Sequence, residues 1–386
     1  MKVIYITLEN LSLHKGSVVH IREVLAGLRK LGHEVGLVAC SWDKFEKADV
    51  FYNLQKLPGN KKQPHLISSV FLFICLLKVL SRYDVIYARD YHAVIIALIP
   101  RLIFKKKLIF EINGLANEEQ KLKRESVFNQ ILCLLIRMAE RIATKYSDRV
   151  VSVTPQIAAY LRERFGCISQ KVEVITNGVN IDMFHPIRDE TLVSHWKQKL
   201  KISSEEKVVV FVGNLAPWQG VDDLIRVAPS LRTKLKGIKF LIVGDGVLGK
   251  SLEDEVQRLG LSDSFLFTGM VEHDQIPFYI NMADVCVVLK KRLKSGYSPI
   301  KVYEYMACAK PVIASRVEGL EFIESEGVGR LVEPGDTICF ERLMLDLLLD
   351  PRKGAHMGEK GIRLVRERFS WSSVTLRIES ILKELA

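Results

Sequence analysis

The sequence lacks the patterns that mark a membrane-spanning, metal-stapled or disulfide-built protein. In its 386 residues the longest uncharged apolar run, residues 66–77, stops at Lys78, whereas a spanning helix needs about 20 apolar residues. The N-terminal stretch Met1-Lys2-Val3-Ile4-Tyr5-Ile6-Thr7 is too short in apolar residues for a signal peptide and reads as a first strand. Seven cysteines stand at 40, 75, 133, 167, 286, 308 and 339, no two within four residues, so there is no CxxC and no zinc spacing. Buried thiols in a reducing cytoplasm are expected. No Asp-x-Asp pair occurs to anchor a divalent cation, and no tract repeats or is compositionally simple.

What is present is ordinary for a folded protein with room for two cores, 48% hydrophobic and 26% charged. Charge is uneven. Residues 1–190 carry 28 Lys and Arg against 19 Asp and Glu, a net of +9, and residues 191–386 carry 28 against 26, a net of +2. The basic half implies an anionic partner such as a membrane surface or a lipid phosphate. Nucleic acid is not expected, because no recognition motif accompanies the charge.

Along the chain, short β-branched runs alternate with segments of helical period. Strands are predicted at 2–7, 35–40, 84–88, 107–111, 149–153 and 172–175, and again at 208–212, 240–243, 265–268, 285–289, 311–314 and 329–332. Helices of the second half are expected to start near Val221, Leu248, Gln275, Ile300 and Phe340. Such alternation predicts an α/β fold of two doubly wound parallel sheets. A polar stretch around residues 180–206 separates them. The expected domains are 1–185, 186–369 and a closing helix at 370–386 that packs back on the first. Ligands of these sheets bind at strand carboxyl ends, here in the crevice between the domains.

The residues with chemistry stand at those strand ends. In the loop from Glu9 to His20, Gly16 precedes a helix whose first turn holds His20, a place where backbone amides can meet a phosphate. A tight turn with a capping serine is the plainer alternative. Strand 84–88 delivers Arg89, Asp90 and His92, and Phe110-Glu111-Ile112-Asn113-Gly114 repeats the pattern. A third polar strand end is Thr176-Asn177-Gly178. In the second half Gly213 and Asn214 lead to Gln219, and Gly244-Asp245-Gly246 forms another turn. Ser295–Ala307 is the sharpest segment. Ser298 is placed to cap a helix and Pro299 to open it, Ile300 contributes an amide, and Lys301 and Glu304 lie three residues apart. An ordinary capped helix with an exposed Lys and Glu would look the same.

Together these residues resemble the glycosyltransferases of the GT-B fold, family four (group one) in particular. The resemblance runs over residues 1–375 and is carried by 174–184, 210–225 and 298–307, with Phe267-Thr268-Gly269, Ala283-Asp284-Val285, Glu333–Asp336 and Phe369-Ser370-Trp371 in support. It implies a retaining, metal-independent hexosyl- or N-acetylhexosaminyltransferase. The donor would be a nucleoside-diphosphate sugar, UDP- or GDP-linked, with no other cofactor. Glu304 would bind the ribose. Amides near Ser298, Pro299 and Ile300 would hold the diphosphate, with Gly16 opposite. Arg89, Asp90 and Asn113 would stand near the sugar and acceptor as catalytic residues, and His20, Gly213, Asn214, Gln219, Asp245 and Lys301 would complete the binding set. The family's usual Arg and Lys are Asn214 and Gln219 here, and its Glu seven residues before Glu304 is Gly296. Lys301 and the basic loop Lys290–Lys294 are expected to restore the charge. The acceptor would be a saccharide or a lipid-linked molecule in polysaccharide or glycolipid synthesis. Residues 66–80 and 102–107, apolar with lysines, would then touch the inner membrane face. A sugar-nucleotide epimerase and a binding protein without activity are the alternatives.

Overall fold

The computed structural model describes residues 1–12, 16–41, 47–54, 65–121 and 126–385. It forms two compact units. One takes Met1–Asn177, Lys294–Ser298 and Trp371–Ala386, the other Gly178–Leu293 and Pro299–Ser370.

The first unit is built on β1 (Lys2–Asn10), β2 (Glu34–Cys40), β3 (Val50–Asn53), β4 (Val85–Arg89), β5 (Lys107–Ile112), β6 (Arg149–Ser152) and β7 (Val172–Val174). They pair in parallel in the order β3-β2-β1-β4-β5-β6-β7. Its helices are α1 (Gly16–Lys30), α2 (His65–Val79), α3 (Asp90–Ile103), α4 (Ala116–Lys121), α5 (Val127–Tyr146) and α6 (Pro155–Phe165). Local chemistry sets several ends. Ser126 accepts from Asn129 N to start α5. Thr154 does the same for α6, with Pro155 in its first turn and Gly166 left-handed at its end.

The second unit has α7 (Glu190–Lys199), β8 (Lys207–Val212), α8 (Val221–Lys234), β9 (Ile238–Val243), α9 (Gly249–Arg258), β10 (Phe265–Phe267), α10 (Ile276–Asn281) and β11 (Val285–Val288). It continues with α11 (Ile300–Ala307), β12 (Val312–Ser315), α12 (Phe322–Ser325), β13 (Gly329–Val332), α13 (Thr337–Leu349) and α14 (Pro351–Leu364). Its parallel sheet runs β10-β9-β8-β11-β12-β13. The last helix, α15 (Trp371–Leu385), belongs to the first unit and packs on α1. A Cβ at Gly27 would lie 2.3 Å from Thr375 Oγ1, so the two helices meet backbone to side chain there.

Side chains alternate across each strand. In the first unit one face of the sheet carries Ile4, Ile6, Ile86, Ala88, Leu108 and Phe110 into a core with Leu72, Val94, Ala97, Ala143 and Leu161 from α2, α3, α5 and α6. The other face carries Tyr5 and Tyr87, stacked with centroids 5.1 Å apart. The second unit's core includes Val209, Phe211, Leu224, Phe240, Val287 and Ile313.

The expected doubly wound sheets are found. In both, strand order reverses beside the first strand, between β1 and β4 and between β8 and β11, and ligands of such sheets bind at the carboxyl ends there. Differences from expectation are local. β1 continues through Glu9 and Asn10, so the loop after it is shorter, and its residues 13–15 lie outside the described set. Edge strand β3 was not anticipated. α13 starts at Thr337 rather than Phe340 because Asp336 caps it. Among the described residues no helix is long and apolar enough to cross a membrane.

Candidate active site

In the first unit a network of charged side chains fills the ends of β1, β4 and β5. Arg89 closes β4 and Glu111 sits beside it in register on β5. Both are buried, at 4% and 0% exposure. Glu111 Oε1 accepts from Arg89 Nη1 at 2.5 Å and from Asn113 Nδ2 at 2.8 Å. His20 Nε2 is 3.0 Å from the same oxygen. Its Nδ1 is 2.7 Å from Asn177 Oδ1, so both ring nitrogens face acceptors. The ring also stands edge-on to Trp371, centroids 5.3 Å apart. Burial pushes the Glu111 carboxyl up, but the charges of His20 and Arg89 outweigh it and hold it well below the usual carboxylate range. Burial works against the Arg89 guanidinium as well, and Glu111 more than restores it.

Asp90 follows at a sharp turn, with φ of +67°, a conformation Asp tolerates better than most residues. It opens α3 and lines a cavity of about 330 Å³ on the opposite face of the sheet, with Tyr91, His92, Phe110, Ile136 and Glu140. Gly16 is exposed at the start of α1, where Ser17 Oγ donates to Glu9 Oε1 at 2.9 Å. Ser298 does not cap the helix after it. Its Oγ accepts from Asn177 N at 3.0 Å and its carbonyl from Asn177 Nδ2 at 2.6 Å. The residue at the cap of α11 is Pro299, which makes no side-chain cap bond. Pro299 keeps an extended backbone, with ψ of 120°, so the helix begins at Ile300 and the serine lies one place outside the cap.

In the second unit the candidates gather after β8. Gly213, at φ of +137°, lets Lys301 approach so closely that a Cβ there would be 2.5 Å from Nζ. Gln219 is buried, and its Oε1 accepts from Lys290 Nζ at 2.8 Å and from Lys301 Nζ at 3.2 Å. Two ammonium groups thus share one neutral amide oxygen. Lys301 also lies 4.1 Å above the Phe211 ring. Burial pushes Lys290 down to about 8. Burial, with Lys290 adding its charge, pushes Lys301 well below its ordinary value. Asn214 and Asp245 flank this pair in adjoining turns, where Leu215 N donates to Asp245 O at 2.9 Å. Glu304, 6% exposed, lies one turn along α11 from Lys301, and His273 Nε2 is 3.5 Å from its Oε1. His273 packs against Phe184, centroids 5.5 Å apart. Ile300 is half-buried at the helix start.

The second unit therefore joins Gly213, Gln219 and Lys301 in one cluster, and the first joins His20, Arg89 and Asn113 in another. Of the basic loop only Lys290 turns in to Gln219, while Arg292 pairs with Glu318 and Glu333. Glu111 and His273 were not among the expected residues. Glu111 had one signal, a carboxylate inside an apolar strand. His273 had none.

The pattern of Glycosyltransferase Family 4 matches residues 14–183, and that of Glycosyl transferases group 1 matches residues 193–364. The chain belongs to this family of GT-B glycosyltransferases. An uncharacterized glycosyltransferase of Methanocaldococcus jannaschii is 24% identical over 389 residues, covering 95% of this chain and 94% of that one. A GDP-mannose-dependent alpha-(1-6)-phosphatidylinositol monomannoside mannosyltransferase of Mycolicibacterium smegmatis is 28% identical over 250 residues, 63% of this chain and 65% of that protein. The Anabaena HepE protein in complex with UDP-glucose has the same fold, with a TM-score of 0.77 at 20% identity and all of both chains covered. In this glycosyltransferase the first unit sets a carboxylate against a guanidinium and an imidazole, and the second sets two buried amines on one amide oxygen.

Proposed function

We propose that this glycosyltransferase takes a hexosyl or N-acetylhexosaminyl group from a UDP- or GDP-linked sugar held by the second unit. The group passes, with retention, to a hydroxyl of a saccharide or lipid-linked acceptor at the first. The observation that carries the reading is the Lys290–Gln219–Lys301 cluster. Two buried amines gathered on one amide oxygen concentrate positive charge, and a diphosphate leaving group is the anion that suits it. As the bond from sugar C1 to the diphosphate oxygen breaks, negative charge grows on that oxygen, and fixed cations stabilise it without a resident metal. The new bond forms from the acceptor oxygen to C1, and the acceptor proton leaves with the diphosphate. Lys301 thus meets the need created by Asn214, Gln219 and Gly296. Glu304 accepts from ribose hydroxyls. Gly16 gives an amide to the phosphates, and Asp245 lines the turn beside them. Arg89 and Asn113 hold Glu111 and His20 in place, and Asp90 faces the acceptor. The relatives support the donor class: one is named GDP-mannose-dependent and one structure holds UDP-glucose. The setting is cytoplasmic, in glycolipid or polysaccharide synthesis.

The test is a thermal-shift screen against UDP-, GDP-, ADP- and dTDP-sugars, followed by product analysis with and without acceptor. Stabilisation by one nucleotide, lost in Glu304→Ala, is expected. Sugar isomerised without an acceptor would instead indicate an epimerase, and no shift at millimolar ligand would remove the donor site.

A further inference from the structure

Helix α5 buries one side and leaves an apolar stripe on the other. Cys133, Glu140, Ala143 and Thr144 face inward. Phe128, Ile131, Leu134, Leu135, Met138 and Ile142 face outward, 38% to 75% exposed. Their spacing of three and four residues puts them on one side of the helix. Water-soluble surfaces rarely keep a continuous apolar stripe of this length uncovered. The neighbouring helix α3, which packs on α5, adds Leu102 and Ile103, 71% and 59% exposed.

Charge identifies what covers it. The exposed ionic side chains of α5 are Arg137, Arg141 and Lys145, all cationic. Its one carboxylate, Glu140, is buried and turned inward, where Ala116 N donates to Oε1 at 2.8 Å and the Asn117 amide to Oε2. Exposed Lys105 and Lys107 follow α3. A second copy of the chain joined about a twofold axis through this stripe would set like charges against each other. An anionic lipid surface takes both features, with the apolar stripe at the acyl boundary and the cations among headgroups.

We infer that the outer face of α5, with the end of α3, docks on a bilayer carrying anionic headgroups and admits a lipid-linked acceptor from it. The acceptor part rests on the transfer reading above. Ile136 and Glu140 of this same helix line the cavity that holds Asp90 and His92. Cys133 and Arg137 line a second, of about 440 Å³, with Lys121 and Asn129. A headgroup resting on α5 thus stands beside the helix that lines the pocket its hydroxyl must enter, and Arg137 suits a phosphate between tail and sugar, with Lys121 close by in a pair with Glu118.

Flotation of the full chain with phosphatidylcholine vesicles, with and without phosphatidylglycerol, tests this. The protein should float with the anionic vesicles at low salt and less at high salt. Phe128→Asp with Leu135→Asp, and separately Arg141→Glu with Lys145→Glu, should each reduce the bound fraction at least tenfold. The donor-induced thermal shift should remain in both variants, which keeps this inference separable from the transfer reading and shows that the variants fold. No flotation, flotation unchanged in the variants, or a concentration-dependent dimer that the same variants dissociate would each overturn it.

Discussion

The two units treat buried charge in opposite ways. In the first, Glu111 answers Arg89 and His20 within 3.0 Å, so the opposite charges meet, although Glu111 Oε2 and Arg89 Nε are left without a hydrogen bond. In the second, Lys290 and Lys301 share one neutral oxygen and have no carboxylate in that contact. A closed network holds a shape. Amines crowded on one oxygen are a standing cost that a bound anion would relieve.

Breaking the closed network should have the largest effect. Glu111→Gln leaves Arg89 buried without its counter-charge, and urea unfolding should show a loss of about 3–5 kcal/mol. The sign with pH follows from the depressed carboxyl. Its contribution is complete above the ordinary carboxylate range and is lost as pH falls through the lower folded value. Acid unfolding of the variant should accordingly be less steep than that of the native chain.

The open cluster should respond the other way. Lys301→Met removes a buried amine crowded by the charge of Lys290, so the ligand-free protein should keep or gain thermal stability while nucleotide affinity falls at least tenfold, ~1.4 kcal/mol or more. Loss of stability together with unchanged affinity would erase the contrast between the units.

A smaller and finer effect is expected from pH. With Lys290 pushed down to about 8, the empty site gives up a proton that the occupied site needs. Nucleotide affinity measured by calorimetry should fall roughly tenfold from pH 7 to pH 9. Lys290→Met should flatten that slope. The ligand-free stability runs oppositely: a lowered amine costs folding energy below about 8, and the cost eases as pH rises toward the ordinary lysine value.

The sheets were legible because strand and helix alternate with clear periods, as in Val18, Ile21, Val24, Leu25 and Leu28 along α1. Edge strand β3 was not, since four half-exposed residues carry no usable period. Lys301 and Glu304 could be placed on one helix face from their spacing alone. Lys290 could not be told from its charged neighbours, because which cation of a run turns inward is decided by packing against Gln219 and not by sequence. Ser298 misled because a serine before a proline reads as a cap, while its actual partner is Asn177, 121 positions away. The outer face of α5 was readable only once its inner face was known, since an apolar helix does not announce which side the core has claimed.

The turn at Asp90 has a wider consequence. One left-handed residue sends Arg89 into the ion network on one face of the sheet and Asp90 into the cavity on the other. A single peptide unit thereby insulates the part that must not vary from the part that can. Substitutions around Tyr91, His92 and Ile136 can reshape that cavity while the framework behind Arg89 goes untouched, so its shape can change by small steps without passing through an unfolded sequence.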